Sequence, residues 1–284
     1  MKIDAHHHLW KYDALRHAWI TEEMAVLKRD FLPEELVSEC TLNGIDGTVV
    51  VQADQSENET LFLLEMAEQN QLIAGVVGWT DLCSPLLAER LRFFSRYEKL
   101  CGFRHVAQSE PDDRFLMRES FVRGVSSLCE PDFTYDILIY PKQLPAALEL
   151  VAALPEQKFV IDHIAKPDMK TNSSVAWAKH MRAIAQNPNV FCKISGLVTE
   201  ADWRAWKTTD FRPYLDVIFD AFGVDRLMFG SDWPVCLLAA SYGKVKEIAE
   251  GYLRDFSERE QNKIFGENAI RFYGLKMGQH GLAA

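Results

Sequence analysis

The amino-terminal stretch Lys-Ile-Asp-Ala-His-His-His-Leu-Trp, residues 2–10, decides how the rest of the chain is interpreted. It begins like a short β-strand, and because side chains alternate across a strand, His6 and His8 point to one face and His7 to the other. At the carboxyl end of a first barrel strand, the pair would face the barrel mouth. Neutral imidazoles in that place bind a divalent metal ion or polarise a carbonyl group.

Apolar, β-branched runs recur along the chain and predict eight strands. Some are apolar throughout, such as Val49–Val51 and Phe159–Ile161, which is typical of strands buried on both faces of a parallel sheet. The predicted strands are Lys2–His6, Gly47–Gln52, Leu72–Trp79, Leu100–His105, Thr134–Tyr140, Lys158–His163, Val190–Ser195 and Arg226–Gly230.

Helical patterns separate these strands. A capping box at Ser56–Glu59 opens one helix, and Pro141 opens another that ends before Pro155. The other predicted helices are Pro33–Leu42, Pro85–Ser95, Arg114–Leu128, Ser174–Asn187, Arg212–Phe222 and Ser241–Arg254, with Ser257–Phe265 and Glu267–Tyr273 packed outside the barrel.

The alternation of strand and helix continues without a linker or a change of composition. It predicts an α/β fold, a (β/α)8 barrel of the TIM type, as a single domain over residues 1–284 with a loose tail at 276–284. An open doubly wound sheet is the alternative, but such a sheet carries a glycine-rich phosphate turn after its first strand, where this chain has histidines. The long connection from Lys11 to Asp30 is expected to cover the barrel mouth.

Composition narrows the class of partner. The net charge of −10 repels nucleic acid, and no apolar run is long enough for a membrane span or arranged as a signal peptide. Six scattered cysteines without a Cys-x-x-Cys pair argue against a disulfide framework, a zinc ribbon or a thioredoxin-type centre. We therefore expect a cytoplasmic protein that acts on a small molecule, and the sequence leaves its oligomeric state open.

Polar side chains follow nearly every predicted strand. The most informative is Asp232 after the eighth strand, because a carboxylate beside a barrel-mouth imidazole or metal can take a proton from water. His163 ends the sixth strand and is a candidate ligand or electrophile, although a histidine hydrogen-bonded to a carbonyl group would explain it too. Asp232 and His163 are the candidate catalytic residues.

Further strand-end residues are candidates for substrate binding. Lys193 would be costly within an apolar strand unless it faces the mouth and finds an anion or a carbonyl oxygen. A tryptophan at a barrel end can stack on a sugar ring, but it is equally often part of the core. The predicted substrate-binding residues are Trp10, Trp79, Arg104, His105, Lys166 and Lys193.

The ordered set of these motifs resembles the amidohydrolase superfamily. Within it, the resemblance is to the amidohydrolase 2 branch, which includes sugar-lactone hydrolases of the L-fuconolactonase and L-rhamnonolactonase type and the pyrone-dicarboxylate lactonases. The matching segments span nearly the whole chain and are residues 3–10, 78–82, 102–105, 162–167, 193–197, 229–234 and 265–269.

The resemblance implies a distorted barrel in which Asp232 activates water against a carbonyl group. It also implies that His6, His8 and His163 are metal ligands or carbonyl-polarising groups. Binuclear relatives carry a bridging carboxylated lysine on the fourth strand and a histidine on the fifth, where this chain has Arg104-His105 and Tyr140. A two-metal site is therefore not expected. The chain is predicted to use one divalent ion, with zinc as the expected metal, or none.

Hydrolysis of a sugar-acid lactone to the open-chain acid is the function that the resemblance and the residues favour together. Two alternatives stay open from the sequence: a metal-dependent non-oxidative decarboxylase of the same broad family, and a barrel that binds sugar acids without turnover. A serine esterase is disfavoured because the chain has no Gly-x-Ser-x-Gly motif.

Overall fold

Eight parallel strands, hydrogen-bonded in sequence order, form the centre of the computed structural model, which describes residues 1–170 and 174–277. The predicted (β/α)8 barrel and all eight predicted strands are confirmed, with small differences at the strand ends. The strands are β1 Ile3–His7, β2 Gly47–Val51, β3 Ile73–Gly78, β4 Leu100–His105, β5 Thr134–Ile137, β6 Phe159–Ile161, β7 Val190–Ile194 and β8 Leu227–Phe229.

The barrel closes between β8 and β1 through the residues that follow β8. The Asp232 amide donates to the His6 carbonyl over 2.8 Å, and the His8 amide donates to the Trp233 carbonyl over 2.7 Å. Gly230 makes this approach possible, since a Cβ there would lie 2.7 Å from the His6 Cβ. The bonds that close the barrel therefore also bring the eighth-strand carboxylate beside the first-strand histidines.

Helices surround the strands, and local signals explain where several of them begin. The Ser56 hydroxyl accepts a hydrogen bond from the Glu59 amide over 3.2 Å, which is half of the predicted capping box; the Glu59 carboxylate accepts from the Ala53 and Asp54 amides instead of the Ser56 amide. The helices are α1 Pro33–Asn43, α2 Glu57–Gln69, α3 Leu87–Phe94, α4 Glu119–Ser126, α5 Leu144–Ala153, α6 Val175–Ile184, α7 Leu197–Glu200, α8 Thr208–Phe222, α9 Tyr242–Tyr252, α10 Glu258–Asn262 and α11 Asn268–Tyr273.

Two helix predictions are corrected. The predicted helix Arg114–Leu128 is divided into a 3₁₀ turn, Phe115–Met117, and α4, because Arg118 between them has extended backbone. At the carboxyl end, a π-helical segment, Lys263–Glu267, joins α10 to α11 into one continuous helix. Gly266 lies in this segment, where the Met1 carbonyl oxygen approaches to 2.1 Å from the place of a Cβ.

The connection from Lys11 to Asp30 contributes to the cavity at the barrel mouth, as expected, and contains a short helical turn, Glu22–Leu27. Of the predicted tail, residues 278–284 lie outside the described residues. Met277 packs against the hydrophobic cluster that contains Ile3 and Val49. None of the described helices is long and apolar enough to cross a membrane.

Candidate active site

His6 and His8 converge at the carboxyl end of β1, as the alternation of side chains predicts. Their Nε2 atoms are 3.2 Å apart, whereas His7 points away and contacts the Thr48 hydroxyl at 2.9 Å. The His8 Nδ1 lies 2.7 Å from the carbonyl oxygen of Val51. Because a carbonyl only accepts hydrogen bonds, His8 carries its proton on Nδ1 and directs the lone pair of Nε2 into the site.

The Asp232 carboxylate lies among three imidazoles. Its Oδ1 is 3.4 Å from the His8 Nε2 and 3.9 Å from the Nε2 atoms of both His6 and His163. Burial by itself raises the pKa of this carboxyl, but the positive charge that His163 and His8 carry when protonated, and the positive charge of Lys166, outweigh that effect and lower the pKa below its ordinary value. Asp232 is therefore ionised at neutral pH and able to accept a proton.

A left-handed turn of four non-glycine residues, His163 to Lys166, follows β6, with φ angles between 47° and 57°. Each such residue costs roughly 1–2 kcal/mol, and strain of this kind is concentrated at functional sites. The turn brings His163 beside Asp232 and Lys166 into the cavity. It is supported from β7, where the Ser195 hydroxyl lies 2.9 Å from the His163 Nδ1 and a Cβ at Gly196 would meet the ring at 2.8 Å.

The His163 imidazole is neutral. Its pKa is lowered to about 3, chiefly by burial, with Asp232 and Asp162 acting against the shift. Burial also lowers the pKa of His8. The site thus combines one ionised carboxylate with neutral rings.

The donor set fits one divalent ion. Ligand atoms of His6, His8 and Asp232 lie within 4.8 Å of one another, and imidazole and carboxylate are ordinary ligands of such ions. The His8 Nε2 and the Asp232 Oδ1 both carry lone pairs at 3.4 Å, so a proton or a cation between them relieves their repulsion. A second ion fits poorly, since the Arg104 guanidinium approaches the His6 Nε2 to 3.4 Å.

A buried charge network lies around His6. The Lys193 ammonium contacts Asp136 at 2.6 Å and Asp162 at 3.0 Å, and Arg104 donates to Asp162 over 2.9 Å. These four side chains are at most 4% exposed. Two cations and two carboxylates balance, which allows them to remain charged away from water.

The cavity at the barrel mouth has a volume of about 570 Å³, in the range of small-molecule sites. Asp232, His163 and His8 line it together, while His6 is fully buried behind them and is not among the lining residues. Further lining residues come from the loops that surround the mouth and include Arg16, Trp19, Gln108, Tyr140, Glu200 and Trp203.

Comparison with known proteins identifies the family. The amidohydrolase family profile matches residues 3–275. The chain belongs to the amidohydrolase family. It is 43% identical to an L-fucono-1,5-lactonase from Burkholderia multivorans over 97% of this chain and 96% of the relative. A second L-fucono-1,5-lactonase, from Burkholderia ambifaria, is 33% identical over 96% of both chains.

A solved structure of an amidohydrolase from Burkholderia multivorans, described with bound zinc, superposes with a TM-score of 0.94. That chain is 42% identical to this one, and the match covers 97% of this chain and 100% of that chain. The family, the relative with zinc and the donor set together support a divalent metal in this amidohydrolase.

Four of the predicted substrate-binding residues do not line the cavity of this amidohydrolase within the described part of the chain. Trp10 is fully buried, and its indole donates to the Arg29 carbonyl over 2.9 Å. Trp79 contacts His105 at 3.4 Å, and His105 in turn stacks on Phe115. These side chains therefore pack against the segment that contains Phe115 and do not face the cavity.

Lys193 is the fourth predicted substrate-binding residue that does not line the cavity, because its ammonium group is held by the buried carboxylates of Asp136 and Asp162. By contrast, Arg104 and Lys166, predicted with these four, do line the cavity. Glu200 and Trp203 were not predicted, because they lie in and after α7, beyond the strand ends where the sequence directs attention. Asp136 was missed because it interrupts an otherwise apolar run that was read only as a buried strand.

Glu59 provides a test of how the cavity wall is held. Its Oε1 accepts hydrogen bonds from the Ala53 and Asp54 amides over 2.8 and 3.1 Å, and both residues line the cavity. Burial raises the pKa of Glu59 from 4.5 to about 7. The folded state therefore holds the proton more tightly than the unfolded state, so this contribution to stability is complete below pH 4.5 and is lost as the pH rises towards 7.

We expect the free energy of unfolding of the wild type, relative to Glu59→Gln, to fall across this window by up to about 1.4 kcal/mol per pH unit. Urea unfolding between pH 4.5 and 7 measures it. Glu65→Gln, at an exposed position on the same helix, gives the baseline. A difference between wild type and Glu59→Gln that stays constant over the window contradicts the expectation.

Proposed function

We propose that this amidohydrolase hydrolyses a sugar-acid lactone, of the L-fucono-1,5-lactone type, to the open-chain acid. One observation carries the proposal: an ionised carboxylate lies among neutral imidazoles where a small-molecule cavity meets the barrel end. The two nearly full-length relatives with printed lactonase names support the choice of an ester carbonyl as the target. Sugar rings suit a cavity lined by both aromatic and hydrogen-bonding side chains.

In the proposed reaction, Asp232 takes a proton from a water molecule as the water oxygen attacks the lactone carbonyl carbon. The bond from that carbon to the ring oxygen then breaks, and protonated Asp232 returns its proton to the ring oxygen. Water is consumed, and one carboxylic acid and one hydroxyl group form. His163, with Lys166 beside it in the turn, is proposed to stabilise the negative charge that develops on the carbonyl oxygen.

His6, His8 and Asp232 are the residues that would hold a divalent ion, and we propose zinc because their nitrogen and oxygen donors suit it. When bound, the ion would supply Lewis-acid polarisation of the carbonyl group. Arg104 limits the number of ions through its positive charge beside His6. The Val51 carbonyl orients His8 whether or not an ion is present.

We expect at most one tightly held divalent ion per chain, because the fourth strand places Arg104 against His6. Elemental analysis of the purified protein after gel filtration measures the number. Two ions per chain would contradict the expectation. Activity that survives exhaustive chelation would show that the side chains alone polarise the carbonyl.

The decarboxylase alternative is less well supported, since both nearly full-length relatives described above carry lactonase names. A barrel that only binds its ligand has no need of an ionised carboxylate held among three imidazoles. No separate observation favours either alternative.

A pH-indicator screen of aldonolactones tests the proposed function, because each turnover near neutral pH releases a proton. We expect hydrolysis of L-fucono-1,5-lactone or a stereochemical relative well above the spontaneous rate. Measuring CO2 release from dihydroxybenzoates in parallel covers the decarboxylase alternative. Activity only in the second assay would overturn the proposal.

A further inference from the structure

We propose that Asp4 is a positioning residue for Asp232, and that it acts through Ser231 to fix the backbone that carries the proposed base. The inference rests on the proposed function for its effect on turnover, but its effect on the position of Asp232 can be observed without a substrate. Asp4 lies fully buried in β1, is not among the cavity-lining residues and forms no ion pair with any described residue. The reaction proposed above gives this carboxylate no part.

The Asp4 carboxylate joins β1 to the segment that follows β8. Its Oδ1 accepts hydrogen bonds from the amides of His6 and Ser231 over 3.1 and 2.9 Å. Its Oδ2 accepts from the hydroxyl groups of Ser231 and Tyr242 over 2.6 and 2.9 Å. Ser231 is thus bonded to both carboxylate oxygens, once through its backbone and once through its side chain. All these residues are buried, so a donor that lost its acceptor here would have no water to replace it.

Ser231 extends this constraint across Asp232. Its hydroxyl group donates to Asp4, and the same oxygen accepts a hydrogen bond from the Trp233 amide over 3.0 Å. The Asp232 amide donates to the His6 carbonyl over 2.8 Å. All three amides from Ser231 to Trp233 therefore have acceptors. Two of the three depend on Asp4, one directly and one through the Ser231 hydroxyl group.

The backbone of Asp232 needs such support. Its φ angle is 57°, in the left-handed region that a non-glycine residue seldom adopts. A conformation of this kind persists only where the surrounding contacts hold it. The direction of the side chain follows from this backbone, and it places the Asp232 Oδ1 3.4 Å from the His8 Nε2 and 3.9 Å from the His163 Nε2. If the segment relaxed, the carboxylate would move, and a misplacement of about 1 Å can lower a rate by about 10²-fold.

A purely structural role for Asp4, as a link that closes the barrel, predicts a different outcome. Substitutions around the carboxylate would then lower stability and would change kcat only through the fraction of protein that stays folded. Tyr242 separates the two roles, because it donates to the same carboxylate oxygen as Ser231 does. Its hydroxyl group contacts Asp4 and Cys40, which both lie outside the segment 231–233. Tyr242→Phe therefore removes a donor from the carboxylate and keeps the link to Ser231.

The direct test compares the crystal structure of Ser231→Ala with that of the wild type. The substitution removes the hydroxyl group that bridges Asp4 and the Trp233 amide, and it adds no bulk. We expect the φ angle of Asp232 to change and its carboxylate to move relative to the His8 Nε2 by on the order of 1 Å, the displacement to which turnover is sensitive. Tyr242→Phe should leave Asp232 in its wild-type position. An unmoved Asp232 in Ser231→Ala overturns the inference.

Steady-state kinetics on a lactone that the wild type hydrolyses gives the second reading, with each rate corrected for the folded fraction measured by circular dichroism. Ser231→Ala and Asp4→Asn should lower kcat by up to about 10²-fold and leave KM near the wild-type value, whereas Tyr242→Phe should keep kcat. If Asp4→Asn does not fold, Ser231→Ala alone provides the test.

Wild-type kcat in Ser231→Ala contradicts the inference, and so does a loss in Tyr242→Phe as large as the loss in Ser231→Ala. If the wild type hydrolyses no lactone, the proposed function fails by itself. The position of Asp232 in the Ser231→Ala structure then still decides whether Asp4 and Ser231 hold it in place.

Discussion

Asp232→Asn is expected to lower kcat for lactone hydrolysis by at least ~10²-fold, the usual contribution of a general base. Asparagine keeps the size of the side chain and much of its hydrogen bonding, but it does not accept a proton from water. The carboxylate carries a pKa below its ordinary value, so the wild-type base is fully available at neutral pH. Steady-state kinetics on the best lactone of the screen measures the loss.

The matched control is Asp81→Asn, which makes the same change in an exposed carboxylate in the loop after β3 that is not among the cavity-lining residues. Both variants should melt near the wild type, so that the kinetics report on chemistry and not on folding. A folded Asp232→Asn variant with nearly wild-type kcat would move the base elsewhere. His163 is then the next candidate, because it shares the cavity, whereas His105 does not line it.

Arg104→Met is expected to destabilise the fold by about 3–5 kcal/mol, as removal of one partner from a buried ion network does. Without Arg104, Asp136 and Asp162 share the single ammonium of Lys193 and leave an excess negative charge in the core. The Gln52 carbonyl oxygen also loses a donor. Urea unfolding at neutral pH measures the free-energy difference.

Arg114→Met is the control, because Arg114 forms its ion pair with Glu149 at the surface, where the two side chains are 59% and 47% exposed. Its unfolding midpoint should stay close to that of the wild type. If Arg104→Met unfolds at the same urea concentration as Arg114→Met, the buried network does not stabilise the barrel as described.

The strands, and the placement of His6, His8, His163 and Asp232 at one end of the barrel, could be predicted from the sequence because both depend on local patterns. The apolar runs have the length of buried strands, and the alternation of His6, His7 and His8 directly gives their opposite orientations. Asp232 and His163 follow strands, and parallel strands bring their carboxyl ends to one rim. These inferences need only the order of residues along the chain.

The predicted positions that differ from the structure concern depth along the barrel and the paths of loops, which local patterns do not specify. Lys193 was expected at the mouth, but Asp136 and Asp162 stabilise its charge in a layer below. Trp10 lies three residues after the end of β1, yet its indole donates to the Arg29 carbonyl within the Lys11–Asp30 connection. Glu200 reaches the cavity from a helix after β7, and only the folded chain shows that approach.

The central claim is that Asp232 acts as a base on water and does not itself attack the lactone. Single-turnover hydrolysis in 18O-labelled water, with enzyme in excess and mass spectrometry of the product, tests it most directly. The account predicts one 18O atom in the carboxylate of the first product formed. An unlabelled first product, with 18O found instead in Asp232, would show nucleophilic attack by the aspartate and would contradict the account.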